Sequence, residues 1–153
     1  VKHAAEQYSI YLTTEEAEEL LIAWKETFPE LVAYFDLAAA NKEQTVEIHK
    51  TQRYRYFNTF TQAANTHFQG LAADIMKLAW IRITEGSYHD TTSPLYGCRP
   101  ILPIHDEAIV EVPEARAEEC LAAIAATMST ASHDILEGLT IPTDGKVMKV
   151  WSK

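Results

Sequence analysis

The stretch that most constrains this chain is Pro100-Ile-Leu-Pro-Ile-His-Asp-Glu-Ala-Ile-Val-Glu-Val-Pro113. Apolar residues run up to His105-Asp106-Glu107, and Ala108 to Val112 run away from it. Two short β-branched runs meeting at a polar triplet predict an antiparallel hairpin with the triplet at or beside its tip. An imidazole and two carboxylates are then presented together on a rigid, partly buried ribbon. Carboxylates are costly to bury unless a cation compensates them, and Mg²⁺ is the usual oxygen-loving candidate. On the triplet alone a plain structural turn weighs equally, because Asp is a common turn residue.

The rest of the composition is that of one globular unit: 153 residues, 47% hydrophobic and 23% charged, enough for one sizeable core. No apolar run approaches membrane-spanning length and no basic-then-apolar leader precedes Tyr8, so a cytoplasmic location and no membrane partner are expected. Cys98 and Cys120 suggest neither a disulfide framework nor zinc spacing and read as reduced thiols. A net charge of −9 argues at first against a nucleic-acid partner. The charge is uneven, however. Residues 50–82 hold Lys50, Arg53, Arg55, Lys77 and Arg82 against Asp74 alone, a net +4 in an otherwise acidic chain. Such a strip is either a solvated face or a phosphate-contacting one.

Taken in order, Thr13-Thr-Glu-Glu16 is a capping box that predicts a helix over 14–27, with Leu20, Leu21, Trp24 and Phe28 as its apolar stripe. Residues 1–11 have no strong period and suggest at most a frayed helix. Pro29 opens a second helix to about Asn41. Thr45–His49 and Tyr54–Phe57 alternate and predict a hairpin with a basic tip, although its turn lacks Gly, Asn and Asp. A long helix is expected over 61–84, a loop over 85–99, the organising hairpin, and an Ala-rich helix from Pro113 to about Leu136 that Gly138 ends. Val147–Trp151 reads as a last strand able to join the hairpin. The pattern is that of an α+β fold: a small antiparallel sheet with several long helices.

On the 61–84 helix, Phe68, Leu71, Ile75 and Leu78 share one arc and are the expected core face. Asn65, Gln69, Ala72 and Met76 share the adjacent arc, which puts two carboxamides in line. Gly70, Ala72 and Ala73 beside them allow another body to approach the backbone. A Gly inside a helix loses about 1 kcal/mol relative to Ala, so Gly70 points to a packing requirement.

These two blocks resemble a known family. Asn65-Thr-His-Phe-Gln69-Gly-Leu-Ala-Ala-Asp74 looks like the Asn-x-x-x-Gln-Gly-x-Ala-Ala-Asp helix of family A DNA polymerases, the bacterial DNA polymerase I type. Leu102-Pro-Ile-His105-Asp106-Glu107 looks like their motif C. The blocks occur in the family's order and spacing, Arg53 stands near the family's Arg-rich turn, and Thr143–Trp151 is similar to its C-terminal strand. The resemblance covers nearly the whole chain from about Leu12. It departs at Leu71, where the family commonly has Thr, and in the thinned turn Gln52-Arg53-Tyr54-Arg55. Motif A, with the other catalytic Asp, and motif B, the fingers helix that holds the triphosphate, are not found in these 153 residues.

The resemblance implies a portion of a polymerase domain, with fingers-side helices and hairpin over about 12–85 and a palm portion over about 99–153. It implies Asp106 as the metal ligand, with Glu107 and His105 as further catalytic residues. Asn65, Gln69, His105 and Arg53 become the expected DNA contacts. Two Mg²⁺ ions, primer-template DNA, deoxynucleoside triphosphates and a companion segment carrying motifs A and B, or self-association, are the expected cofactors and partners. Physics supports the roles independently. Phosphoryl transfer needs converging carboxylates for two metal ions. The minor groove offers acceptors in similar places at every base pair, so a carboxamide there tests pair geometry without reading sequence. Two other readings remain: a nucleic-acid-binding or assembly module without chemistry, and an unrelated metal-dependent hydrolase using His105, Asp106 and Glu107. The hydrolase would need further ligands, and no other His/Asp/Glu spacing supplies them.

Overall fold

The computed structural model describes residues 9–41, 44–48 and 50–151. Its described residues form an α+β fold: helices α1 (Thr14–Thr27), α2 (Pro29–Ala40), α3 (Phe60–Tyr88) and α4 (Ala117–Ile135), with strands β1 (Thr45–Ile48), β2 (Arg53–Tyr56), β3 (Arg99–Ile104) and β4 (Glu107–Glu111). The strands pair as two small antiparallel sheets, β1 with β2 and β3 with β4. A single 3₁₀ turn, Glu114–Arg116, leads into α4. Among the described residues no helix is long and apolar enough to cross a membrane. The chain divides into two compact units, one of residues up to 45 with 56–64, the other of residues 46–55 with 65 onward.

The first unit is held by local chemistry and aromatic rings. Glu16 N–H donates to Thr13 Oγ1 at 3.1 Å and Thr13 N–H donates to Glu16 Oε2 at 2.8 Å, the reciprocal capping expected from the sequence. The Phe28 N–H closes α1 on the Trp24 carbonyl at 3.0 Å, while its own carbonyl accepts from Leu31 at 3.1 Å and starts α2 with Pro29 in the first turn. Trp24 stacks on Phe35 at 5.9 Å, and Phe35 meets Phe60 edge-on at 6.0 Å. The Tyr34 hydroxyl donates to the Ala64 carbonyl at 2.6 Å, and burial pushes the phenol above its ordinary pKa. Neither α1 nor α2 has a fully buried residue. Residues 1–8, part of the stretch read as a frayed helix, lie outside the described residues, and 9–13 carry no regular structure.

In the second unit α3 buries a different face from the one its apolar residues predict. Phe68 is 56% exposed, and Leu71, Ile75 and Leu78 are only half-buried. The buried positions include Thr66, Gly70, Asp74, Met76, Ala79, Ile83 and Ser87. Small residues decide this. A Cβ on Gly70 would lie 2.2 Å from Ile48 Cδ1 and 3.2 Å from Ile48 Cγ1, so β1 docks where the helix has no side chain. The body that approaches Gly70 is thus the chain's own strand. Its hairpin turn, poor in turn-forming residues, closes with Gln52 at φ +53° and Thr51 N–H on the Ile48 carbonyl at 3.0 Å. His49, expected to end β1, lies outside the described residues.

α3 also runs past the expected end at Thr84 to Tyr88, straight through Gly86. A Cβ on Gly86 would sit 2.8 Å from Ser93 Oγ, so here too glycine admits a returning segment. The 89–98 loop is tied down by Gly97 N–H on the Ser87 carbonyl at 3.0 Å and by Arg116, which donates to the Pro94 and Tyr96 carbonyls at 3.1 and 2.9 Å. Ile83, Leu95, Cys98 and Cys120 form the core, with Ala108, Val110 and Val112 of the hairpin and Ala123, Ile124 and Met128 of α4 packed against it.

α4 ends with Gly138 N–H on the His133 carbonyl at 3.0 Å, with Glu137 (φ +52°) and Gly138 (φ +103°) both left-handed. The expected last strand over 147–151 does not form, and among the described residues the hairpin sheet has two strands. A strand exists only through a ladder partner. The C-terminal segment is bound to α4 instead: Ile141 N–H donates to Ser132 Oγ at 2.8 Å, and Ser129 Oγ donates to the Ile141 carbonyl at 3.2 Å.

The Gly70 contact gives a quantitative expectation. Gly70→Ala gains about 1 kcal/mol of helix propensity yet overpacks Ile48, and the overpacking exceeds the gain, for a net loss of about 1–2 kcal/mol in denaturant unfolding. Ile48→Val in the same chain recovers most of that loss, because it removes the methyl that the new Cβ meets; a stabilised Gly70→Ala single variant would show that the contact does not limit packing.

Candidate functional site

The β3–β4 hairpin is built by its prolines. Ile104 pairs with Glu107, so the loop is the two residues His105 and Asp106. Two-residue loops need left-handed backbone, and His105 supplies it at φ +53°; His is among the non-Gly residues most often found there. Pro103 faces Ala108, and a register shift between Pro100 and Leu102 makes Pro100 face Val110. The bulge at Ile101 therefore places both prolines in the same phase of an alternating ladder. Without it, Pro100 would fall in the opposite phase, and one of the two prolines would stand where the ladder needs an N–H.

The same register sets the faces. Ala108 and Val110 pack on the core, so Glu107, Ile109 and Glu111 point the other way. His105, Asp106 and Glu107 are all exposed at the hairpin end. Asp106 and Glu107 offer adjacent oxygen donors, a set suited to a share in a hard-cation site. Among the described residues no group of three or more His, Cys, Asp or Glu gathers as a complete metal site. On α3, Asn65 and Gln69 are exposed one turn apart. The two groups occupy different elements of one unit, and the structure reveals no contact joining them.

Arg53 lies elsewhere. Its Nε and one terminal nitrogen donate to the two oxygens of Asp74 at 3.2 and 2.8 Å, and it reaches the Gly70 carbonyl at 3.4 Å. Asp74 is only 7% exposed; it also accepts from Thr51 Oγ1 at 2.6 Å and pairs with Lys77 at 3.5 Å. One buried carboxylate thus fastens the β1–β2 turn to the helix that carries the amides. The sequence marks Asp74 as the lone acid of a basic segment and as the last residue of the Asn65–Asp74 block, but not as the anchor of the hairpin.

That segment's charge is largely matched. Besides Arg53 and Lys77 on Asp74, Lys50 pairs with Glu137, and Arg82 pairs with Asp134 at 2.7 Å. The Arg82 hydrogen bond, then His133, hold the Asp134 carboxyl below the usual carboxylate range. Pairs this exposed are weak, so the lysines and Arg82 can exchange partners.

The sequence model of DNA polymerase family A matches residues 2–153. This chain belongs to that family. Curated relatives agree. DNA polymerase I of Aquifex aeolicus is 25% identical over 149 aligned positions, covering 95% of this chain and 25% of that protein. The thermostable DNA polymerase I of Thermus filiformis is 30% identical over 137 aligned positions, covering 76% of the chain and 15% of that protein. The thermostable DNA polymerase I of Thermus thermophilus is 39% identical over 69 positions, 45% of the chain and 8% of that protein. This family A chain therefore spans a quarter or less of the length of these relatives.

The Asp74 anchor predicts a stability effect. Arg53→Ala strands a buried carboxylate and lowers unfolding free energy by about 2 kcal/mol, less than for a wholly buried pair because the arginine is partly exposed. Chemical denaturation of the variant checks it, and adding Asp74→Asn should restore part of the loss; a loss under a few tenths would mean that Thr51 and Lys77 suffice.

Proposed function

We propose that this chain supplies the motif C carboxylate and the minor-groove helix of a family A DNA-directed DNA polymerase, which carries out template-directed nucleotidyl transfer. The observation that carries the reading is the two-residue turn presenting His105 and Asp106 to solvent in a chain matched by the family over residues 2–153. Asp106 is the proposed metal ligand, with Glu107, on the opposite face from the core, peripheral to it. His105 is the proposed donor to a primer-end phosphate or sugar. Asn65 and Gln69 donate to minor-groove acceptors near the primer terminus, where hydrogen bonds test pair geometry. Arg53 enters this reading chiefly through Asp74, by holding the basic hairpin against the amide helix.

When bound, two Mg²⁺ ions would neutralise charge on the phosphoryl oxygens of the incoming deoxynucleoside triphosphate. Mg²⁺ sites combine one or two carboxylates with substrate phosphates. Asp106, with Glu107 peripheral beside it, is a partial donor set for two ions. The proposed site is therefore shared, and completed by a companion segment carrying motifs A and B. That segment is either further chain of the same protein or a separate polypeptide. Exposed Phe68, Ile101 and Leu102 offer apolar surface for such a cover, or for self-association.

Primer extension tests the reading. The 153 residues alone should give no templated extension, and a motif A/B fragment should restore it; robust extension by the isolated chain refutes the shared site. In the assembled enzyme Asp106→Asn should reduce single-turnover incorporation by at least about 1,000-fold, on the scale of losing a principal electrostatic group, with primer-template affinity little changed. Near-normal incorporation would remove Asp106 from the site.

Gln69→Ala should narrow the ratio of matched to mismatched extension rates by about tenfold, the equivalent of one hydrogen bond of about 1.4 kcal/mol, and Asn65→Ala should narrow it less. An unchanged ratio in both variants makes the two amides solvated surface only.

A further inference from the structure

Cys98 and Cys120 have no part in the proposed chemistry, yet they are adjacent. Their Sγ atoms lie 3.5 Å apart, and both residues are buried, at 1% and 0% exposure, in the core shared by α3, α4 and the hairpin. Both are free thiols. The Cys120 thiol also donates to the Pro94 carbonyl at 3.6 Å, so both sulfurs sit at the junction of the 94–98 loop and α4. A disulfide needs a separation of about 2.05 Å, so the sulfurs have to close by only about 1.5 Å. Cys98 immediately precedes β3, the strand that leads to His105 and Asp106, and it follows exposed Tyr96 and Gly97 in a surface loop.

We propose that Cys98 and Cys120 are a modification site: a small hydroperoxide converts the pair into a reversible disulfide that clamps the start of β3 to α4. One thiolate attacks a peroxide oxygen; the O–O bond breaks, giving a sulfenic acid and one water. The second sulfur attacks the sulfenic sulfur, the S–O bond breaks, the S–S bond forms and a second water leaves. The two thiols give up two electrons and two protons, and hydrogen peroxide is reduced to two waters. A peroxide suits a core pair because it is far smaller than a peptide disulfide. Burial, then the contact with Cys120, push the Cys98 thiol up to about 11, so attack by Cys98 is faster in alkaline buffer. The inference rests on the core geometry alone, so it stands or falls separately from the polymerase reading.

The native chain is treated with hydrogen peroxide and mapped by non-reducing peptide mass spectrometry, since the three methionines also oxidise and blur intact masses. The expected product joins the Cys98 and Cys120 peptides, reverts with dithiothreitol, forms faster at alkaline pH and raises Tm by roughly 5–10 °C. Cys120→Ala should send Cys98 on to sulfinic and sulfonic acids; if that variant does not fold, the wild-type map decides alone. Two free thiols persisting in the folded chain until denaturant is added, higher oxidation without a cross-link, or a cross-link that leaves Tm unchanged or lower each overturns the clamp.

Discussion

The second unit turns on the carboxylate of Asp74. A charge on a helix face at 7% exposure has to be matched, and Thr51, Arg53 and Lys77 match it. Two of those partners come from the β1–β2 hairpin, so neutralising the helix and placing the hairpin are one event. Gly70, one turn earlier on α3, makes it sterically feasible by giving up its side chain to Ile48. Charge and shape agree on a single arrangement. This explains how a turn without Gly, Asn or Asp still closes: its geometry is held from outside by a buried acceptor.

The β3–β4 hairpin is specified differently, by what its backbone lacks. Two prolines in one strand remove two donors, and the bulge at Ile101 keeps both out of the ladder's bonding positions. The register that results sends Ala108 and Val110 into the core and leaves His105, Asp106 and Glu107 at the exposed end. The core under the hairpin is fixed to α4 through Cys120 and to the 94–98 loop through Cys98 and Leu95. Asp106 is therefore carried on a ribbon whose base is packed on two helices.

Helices α1 and α2 follow another logic. They are held by a capping box, a proline at a helix start and a row of aromatic rings, and no residue in them is fully buried. Leu20, Leu21, Ile22 and Leu37 are all exposed.

The sequence alone determined what depends on neighbours within about four residues. The Thr13–Glu16 box, Pro29 at a helix start, a hairpin tip at or beside His105–Glu107 and the helix end near Gly138 were all legible, because each is satisfied by groups a few residues away. The family was legible as well, from the Asn65–Asp74 and Leu102–Glu107 blocks. Tertiary structure decided the rest. The buried face of α3 follows Gly70 and Asp74, where β1 can approach, rather than Phe68 and Leu71, whose hydrophobicity suggested it. The +4 segment is largely matched by Glu137 and Asp134 from beyond it, and by Asp74 turned inward. The apolar alternation at 147–151 finds no ladder partner in the described structure, and the segment just before it is bound by the α4 serines. Cys98 and Cys120 meet across 22 positions of chain. Periodicity reports what a segment prefers by itself; which face is buried, which charge is paired and which thiols touch depend on partners that only the folded chain brings near.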